Sequence, residues 1–372
     1  MHATEHLKEA ERLMTVCNSC RYCEGLCAVF PAMELRRDFA DGDLEYLANL
    51  CHACGACHVD CQFAPPHEFA VNVPRTLAQV RADSWKNHAW PRFARPMFDC
   101  NGLAIAIVAA LSVAAFILGF AVWHDPSVVV ASGGDFYRLM PHTAMAGLFG
   151  AVGVYAVVAL VMGLRSFWKE IGAGSVNAGS PVSLWQAARD AGRLRYLDGG
   201  GVGCYNEDER PTDNRRLFHH LTFYGFMLCF AATVSGTAYH YLLAWPAPYG
   251  WLDLPKLLGI PGGIGLVVGP VGLMRAKMKR EPELLDPERF GMDTAFLAMM
   301  FAAGASGLTL MLLRDTPAMG VMLALHLGIV FALFLTMPYG KFVHGIYRFA
   351  ALCLYAAERR ADRPADTASA RG

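Results

Sequence analysis

Residues 51–61 read CHACGACHVDC, which places four cysteines and two histidines within eleven positions. Three kinds of site use such residues at this spacing. Cysteine thiolates hold iron-sulfur clusters, and sets of four cysteines or histidines hold structural zinc. The segment from Cys54 to His58 also matches the C-x-x-C-H motif that attaches c-type haem covalently. The rest of the chain decides among these interpretations.

A second cysteine run of the same spacing, CNSCRYCEGLC at residues 17–27, precedes the first, so eight of the twelve cysteines lie in two runs. Zinc needs only four ligands, and two runs of four exceed that requirement. Covalent haem would take Cys54 and Cys57 out of an otherwise complete set, and such attachment normally takes place outside the cytoplasm. We therefore predict two [4Fe-4S] clusters, because their ligands have this compact spacing.

The spacing of both runs resembles that of two-cluster ferredoxins. In that fold the fourth cysteine of each run ligates the cluster of the other run. The resemblance implies that one cluster takes Cys17, Cys20, Cys23 and Cys61, and that the other takes Cys51, Cys54, Cys57 and Cys27. Ala28 and Gln62 stand where the ferredoxin pattern has proline, which removes a turn signal and leaves the ligand count intact.

Most of the remaining chain is predicted to lie in a membrane, because 55% of all residues are apolar and only 17% are charged. Uncharged runs long enough to cross roughly 30 Å of hydrocarbon occur six times. They are Leu103–Trp123, Pro141–Leu164, Leu217–Ala244, Leu257–Met274, Thr294–Leu313 and Thr316–Gly340. The fold class is therefore mostly α, with a ferredoxin-like head followed by a bundle of six spans.

Lysine and arginine alternate between the connections of these spans. Along the chain the seven segments outside the spans carry ten, one, eight, one, five, one and six of them. The positive-inside rule then places both termini in the cytoplasm. The first residues lack the apolar core and cleavage site of a secretory signal, so we expect the head to stay in that reducing compartment. The net charge of zero gives no indication of a nucleic-acid partner.

These features divide the chain into four predicted parts. Residues 1–82 form the iron-sulfur head, 83–102 a linker at the membrane surface, 103–357 the six-span domain and 358–372 a disordered tail. The linker mixes Trp85 and Trp90 with basic residues, as segments in the headgroup layer do. The glycine-rich stretch 198–216 lacks a nucleotide-binding context and is predicted to be a flexible surface loop, with no role assigned to Cys204.

Histidines within the spans are candidate ligands, because a polar ring in lipid needs a partner. His326 and His344 are eighteen residues apart, about five helical turns, so they share a face about 27 Å apart. His219 and His240 are about 60° from a common face. An inner haem b between His344 and either His219 or His220 is predicted, and an outer haem between His240 and His326 is an open alternative.

The segment HLGIVFALFLTMPYGKFVHGIYR, from His326 to Arg348, is similar to the last span of the gamma subunit of respiratory nitrate reductase. In that family these two histidines ligate different haems. The family's second histidine on the earlier helix would fall at Cys229 or Phe230, so this chain departs from the pattern there, and His142 is a third candidate for the outer haem.

The twin cysteine runs, the six spans and the sequence RRLFHH at 215–220 together resemble the tricarballylate-utilisation B proteins and the related citrate-utilisation and cobalamin-biosynthesis membrane proteins. The resemblance implies an electron-transfer component that reoxidises the flavin of a separate FAD-dependent dehydrogenase and reduces membrane quinone. It implies no flavin in this chain and a location in the bacterial inner membrane. The alternatives are a subunit of a heterodisulfide-type or quinol-oxidising complex, and a membrane redox sensor.

Overall fold

The computed structural model describes residues 2–123, 130, 135–206, 208 and 210–362. Throughout this part of the chain the secondary structure is helical, apart from one isolated bridge between Cys204 and Thr212. The predicted mostly helical fold is confirmed: a head of short helices precedes six long apolar helices.

The head consists of five helices. They are α1 (Glu5–Cys20), α2 (Val29–Glu34), α3 (Asp41–Leu50), α4 (Ala56–Val59) and α5 (Val73–His88). The Thr4 side chain accepts a hydrogen bond from the backbone N–H of Leu7 and so begins α1. Leu7, Ala10 and Met14 are buried at helical spacing on its inner face. Burying a side chain of the size of Phe30, which is 2% exposed, contributes about 1.5–3 kcal/mol.

The segment predicted as a surface linker, 83–102, is in large part core. Helix α5 runs on to His88, and its Trp85 is 1% exposed. The Trp85 indole donates to the Asn49 side chain at 3.0 Å, which satisfies the one polar group of the ring. Phe98 is also buried, whereas Phe93 is exposed. Some aromatic residues of this segment therefore pack in the core and others lie at the surface. Composition alone does not predict which.

The six spans are α6 (Asn101–Trp123), α8 (His142–Glu170), α10 (Asn214–Leu242), α11 (Leu254–Met278), α12 (Phe290–Leu312) and α13 (Met319–Thr336). A single-turn helix, α7 (Phe136–Leu139), precedes α8, and α9 (Pro181–Gly192) lies between α8 and α10. Large apolar side chains such as Leu111 and Val122 are exposed on the outer faces of the spans. Such faces are suited to lipid.

Helices α10 and α11 approach each other closely through glycines. A Cβ added at Gly225 would lie 2.9 Å from the Gly262 carbonyl oxygen, and one at Gly265 would lie 2.7 Å from the Leu221 carbonyl oxygen. Small residues allow such backbone contact between helices in a membrane. The contact keeps α10, which carries three of the candidate histidines, in a fixed position against its neighbour.

The last helix, α14 (Val343–Ala361), lies against the head and not in the bundle. Its Glu358 accepts hydrogen bonds from Arg36 at 2.6 Å and from the Tyr46 hydroxyl at 2.8 Å. The head and the last helix thus share one end of the bundle, which we call the inner end. Residues 358–361 of the predicted disordered tail belong to this helix, since Glu358 has buried partners; 363–372 lie outside the described residues.

The glycine-rich stretch that was predicted to be a free surface loop packs on the second cysteine run. The Tyr205 N–H donates to the Cys54 carbonyl at 3.0 Å. Gly203 has φ of +107°, and a Cβ there would lie 2.7 Å from the Thr212 backbone, so only glycine fits. Cys204 is 5% exposed next to Cys54. This part of the chain covers a candidate cluster site.

Candidate metal and cofactor sites

The first group of thiols forms at the end of α1. Cys17 and Cys20 occupy its last turn, three residues apart and so on one face. The pKa of the Cys17 thiol is raised to about 12, first by burial and then by three neighbouring thiols, those of Cys23, Cys61 and Cys20. Cys61 of the second run therefore joins the first run in space, as the ferredoxin pattern implies.

The second group lies beside it. A small cavity of about 20 Å³ is lined by Cys27, Cys51, Cys54 and Cys57, among apolar side chains. Burial raises the pKa of the Cys27 thiol, and the nearby thiols of Cys51 and Cys54 raise it further. Cys27 of the first run therefore lies beside the cysteines of the second run. The four predicted ligands of each cluster are neighbours.

Among the described residues, no three His, Cys, Asp or Glu side chains are close enough together to hold a single metal ion. The two groups of four thiols have the donor chemistry of iron-sulfur sites, because cysteine thiolates ligate such clusters.

A much larger cavity, of about 540 Å³, lies at the inner end of the bundle, between the head and helices α9, α10, α11, α12 and α14. One part of its wall is apolar and contains Phe226, Phe296 and Phe342. Another part is strongly basic. His52, which directly follows the predicted ligand Cys51, lines both this cavity and the small one between the cysteines. Tyr196 also lines both cavities, so the two sites adjoin each other.

His219 and His344 face each other in the large cavity, with ring centroids 6.0 Å apart and ring planes at 79°. A metal ion bound to one imidazole nitrogen on each side at roughly 2.0–2.1 Å separates the centroids by about 6 Å. The Nδ1 atom of His344 is hydrogen-bonded to the Lys341 carbonyl, which leaves Nε2 free to ligate. Burial lowers the pKa of His344 well below its ordinary value, so the ring is neutral, as a ligand must be.

His220 points elsewhere. Its ring lies 5.7 Å from that of Tyr224, whose hydroxyl donates to the Gly192 carbonyl at 2.7 Å. It does not line the cavity that holds His219. The sequence left these two residues as alternatives, and the geometry favours His219.

The outer histidines do not form the pair that the sequence proposes as an alternative. His240 stacks on His142, with centroids 3.7 Å apart and planes at 14°, which leaves no room for an ion between the rings. His326 is hydrogen-bonded to the Ser306 hydroxyl at 2.9 Å.

Sequence reasoning did not identify the basic wall of the large cavity. Four arginines converge there on two backbone carbonyls: Arg81 and Arg348 donate to Cys51 at 2.5 and 2.6 Å, and Arg215 and Arg280 donate to Ala53. Burial lowers the pKa of Arg348 to about 9, so it stays charged at neutral pH. The sequence spacing of two of these arginines indicates that they lie near the histidines. Arg215 precedes His219 by four residues, and Arg348 follows His344 by four. Residues four apart share a helix face.

Comparison with known proteins agrees with this architecture. The family model described as citrate utilization protein B matches residues 97–365, and that of its Fer4-like domain matches residues 10–88. Citrate utilization protein B of Escherichia coli is 46% identical over 371 residues, which cover 98% of this chain and 96% of the relative. No solved structure matches the chain.

Proposed function

The chain belongs to the citrate utilization protein B family, and from this membership we propose that it transfers electrons from the reduced flavin of a soluble FAD-dependent dehydrogenase to membrane quinone. It is an iron-sulfur electron-transfer protein with a multi-pass membrane domain. In the proposed role it is the component that moves electrons, while the dehydrogenase converts an organic acid such as tricarballylate or citrate.

The observation that supports this function most is the adjacency of two different redox sites. The thiols of Cys27, Cys51, Cys54 and Cys57 surround one cavity, and His219 and His344 face each other in the next. His52 forms part of both walls. Neighbouring sites of this kind are suited to passing single electrons over short distances.

This geometry supports one set of ligands. Eight cysteines would hold two [4Fe-4S] clusters and His219 and His344 would hold one haem b, and these groups, when bound, would supply one-electron carriers. The Lys341 carbonyl fixes the proton of His344 on Nδ1. The loop that contains Cys204 packs on the second cysteine group, where the Tyr205 N–H donates to the Cys54 carbonyl. The access of solvent to a site is one of the means by which a protein sets a redox potential.

The proposed location is the inner membrane of a bacterium, with the head in the cytoplasm. The head and α14, the first and last described parts of the chain, lie at the same end of the bundle. The connections at that end are the ones rich in lysine and arginine. A soluble dehydrogenase in the cytoplasm would thus reach the head, and quinone would reach the bundle from the lipid.

The test begins with the full chain purified in detergent under anaerobic conditions. We expect about eight iron atoms and eight acid-labile sulfides per chain. We also expect haem b that acidified solvent extracts, with a low-spin spectrum when reduced. The reduced FAD-dependent dehydrogenase that co-purifies with the chain should reduce this haem, and ubiquinone-1 should reoxidise it.

Other outcomes select other functions. Stoichiometric zinc in place of iron would refute the cluster assignment. Haem that remains on the denatured chain would support covalent attachment at Cys54 and Cys57. Reoxidation by a disulfide but not by ubiquinone-1 would favour the heterodisulfide-type alternative. Failure of every flavoprotein to reduce the chain at catalytic rates would favour a sensor.

A further inference from the structure

The large cavity has two unlike ends. Phenylalanines and other apolar side chains line one part of it, and the guanidinium groups of Arg81, Arg215, Arg280 and Arg348 line the other. A molecule that fills such a space has an apolar body and negative charge at one edge. A quinone lacks the full negative charges, and a small polycarboxylate lacks the apolar body.

Two lysines also line the cavity, and both are paired with a carboxylate. Lys277 and Lys341 both contact the Asp293 carboxylate, at 2.5 and 2.7 Å. The arginines differ, because in the described part of the chain none of the four forms an ion pair with an aspartate or glutamate. Asp293 and Asp286 act on Arg81 only at a distance. The basic wall thus carries an excess of positive charge.

The hydrogen-bond donors of these arginines are far from used up. A guanidinium has five N–H donors, and the carbonyls of Cys51 and Ala53 occupy only some of those on each side chain. The Nε atom of Arg280 is buried without any partner. Arg215 uses only one terminal nitrogen, for the Ala53 carbonyl and the Cys204 sulfur. Free donors in a fork match carboxylates.

We propose that Arg215 and Arg280, supported by Arg81 and Arg348, bind the propionate carboxylates of the haem b that His219 and His344 hold. This rests on the proposed function, since it requires haem at that site. The carboxylate edge of the porphyrin then faces Cys51 and Ala53 of the second cysteine run, and the rest of the ring lies among the phenylalanines. The same arginine pairs thereby fix the orientation of the haem and place it against the cluster site.

The test compares two porphyrins that differ only in their carboxylates. Full-length chain depleted of haem during expression is titrated in detergent with haemin and with haemin dimethyl ester, and the low-spin spectrum is followed. The wild type should bind haemin at least tenfold more tightly than the ester. In the Arg215→Gln,Arg280→Gln double variant this preference should fall towards one, because the partners of the carboxylates are gone.

Arg216→Gln is the matched control, since Arg216 neighbours Arg215 on α10, lies 3.8 Å from Asp213 and does not line the cavity. It should retain the full preference. Iron content reports whether the head is still folded, and Arg215→Lys should keep part of the preference through its charge. In the native holoprotein, the double variant should lower the midpoint potential of the haem, because a cation near it favours the reduced state.

Equal binding of the two porphyrins by the wild type would overturn the proposal, as would an undiminished preference in the double variant with full iron content. Either result would leave the proposed function standing if haem still depends on His344. If the wild type binds neither porphyrin in a low-spin state, the proposed function itself fails, and the propionate site fails with it.

Discussion

The two ends of the helix bundle each bring a pair of histidines together, but in different ways. At the inner end the rings of His219 and His344 face across a cavity of about 540 Å³, with centroids 6.0 Å apart. At the outer end the rings of His142 and His240 stack directly, 3.7 Å apart. The first pair lies apart, across open space. The second fills its space with its own rings.

The difference shows that histidines in spans do not identify a haem site by themselves. At the inner end, a hydrogen bond to the Lys341 carbonyl orients His344, and the arginines of the basic wall line the same cavity. At the outer end the neighbours are tyrosines, with Tyr241 3.4 Å from the Nδ1 atom of His142. What distinguishes a candidate cofactor site is the space and the supporting groups around the ring.

The largest expected effect is the loss of haem in His344→Ala. This change removes one of two axial nitrogens, and a six-coordinate low-spin haem cannot persist without a substitute ligand. We expect nearly complete loss of the low-spin spectrum with normal iron in the head. The matched control is His326→Ala, which removes an equally large ring from the outer half of the bundle. If the control loses the haem and His344→Ala retains it, the contrast between the two ends is reversed.

Variants of the neighbouring residues His219 and His220 test which of the two is the haem ligand. His219→Ala should abolish the low-spin haem, because His219 alone of the two lines the cavity. His220→Ala should keep it, since that ring lies beside Tyr224 outside the cavity. Absorption spectra of the two purified variants, normalised to iron content, decide the matter. The reverse result would assign the ligand to His220 and show that α10 is rotated from its position here.

The features that the sequence predicted well depend on local or one-dimensional rules. The length of apolar segments needed to cross a bilayer gave all six spans. The spacing within Cys17–Cys27 and Cys51–Cys61 gave the two cysteine runs. The positions of His219 and His344 at the ends of predicted spans indicated a common inner level. The helical phase between His326 and His344 was wrong, because the helix ends at Thr336 and a new one begins at Val343 after the extended Gly340.

The features that the sequence did not predict depend on contacts between distant elements. Arg81, Arg215, Arg280 and Arg348 come from four separate parts of the chain, so no local pattern could group them. Trp85 lies in a segment whose aromatic and basic residues are typical of the membrane surface. Its indole is nevertheless buried and donates a hydrogen bond to Asn49. The glycine-rich composition of the loop with Cys204 is typical of a flexible surface loop. Its contact with Cys54 is a backbone hydrogen bond, which side-chain composition does not predict.

The head permits an equivalent comparison between cysteines that are predicted to bind a cluster and one that is only close to it. Cys27→Ser and Cys61→Ser should each lower iron by about half, because each removes the ligand that crosses from the other run. Cys204→Ser is the control, since Cys204 is buried beside Cys54 but outside both groups of four. Iron and sulfide assays on anaerobically purified protein measure the effect. A loss of half the iron in Cys204→Ser would make Cys204 a ligand and reopen the assignment of Cys27.

The smallest expected effect concerns His326, which is hydrogen-bonded to Ser306. Ser306→Ala removes the 2.9 Å hydrogen bond and leaves a buried ring nitrogen without a partner, which costs about 1–3 kcal/mol. The Ser306→Ala,His326→Leu double variant should recover most of that loss, because replacing both partners by apolar groups of similar shape is nearly neutral. Unfolding in detergent, followed by tryptophan fluorescence, measures both, and the haem spectrum should stay unchanged in each. If the double variant loses low-spin haem, His326 is an axial ligand, and the outer end of the bundle holds a cofactor after all.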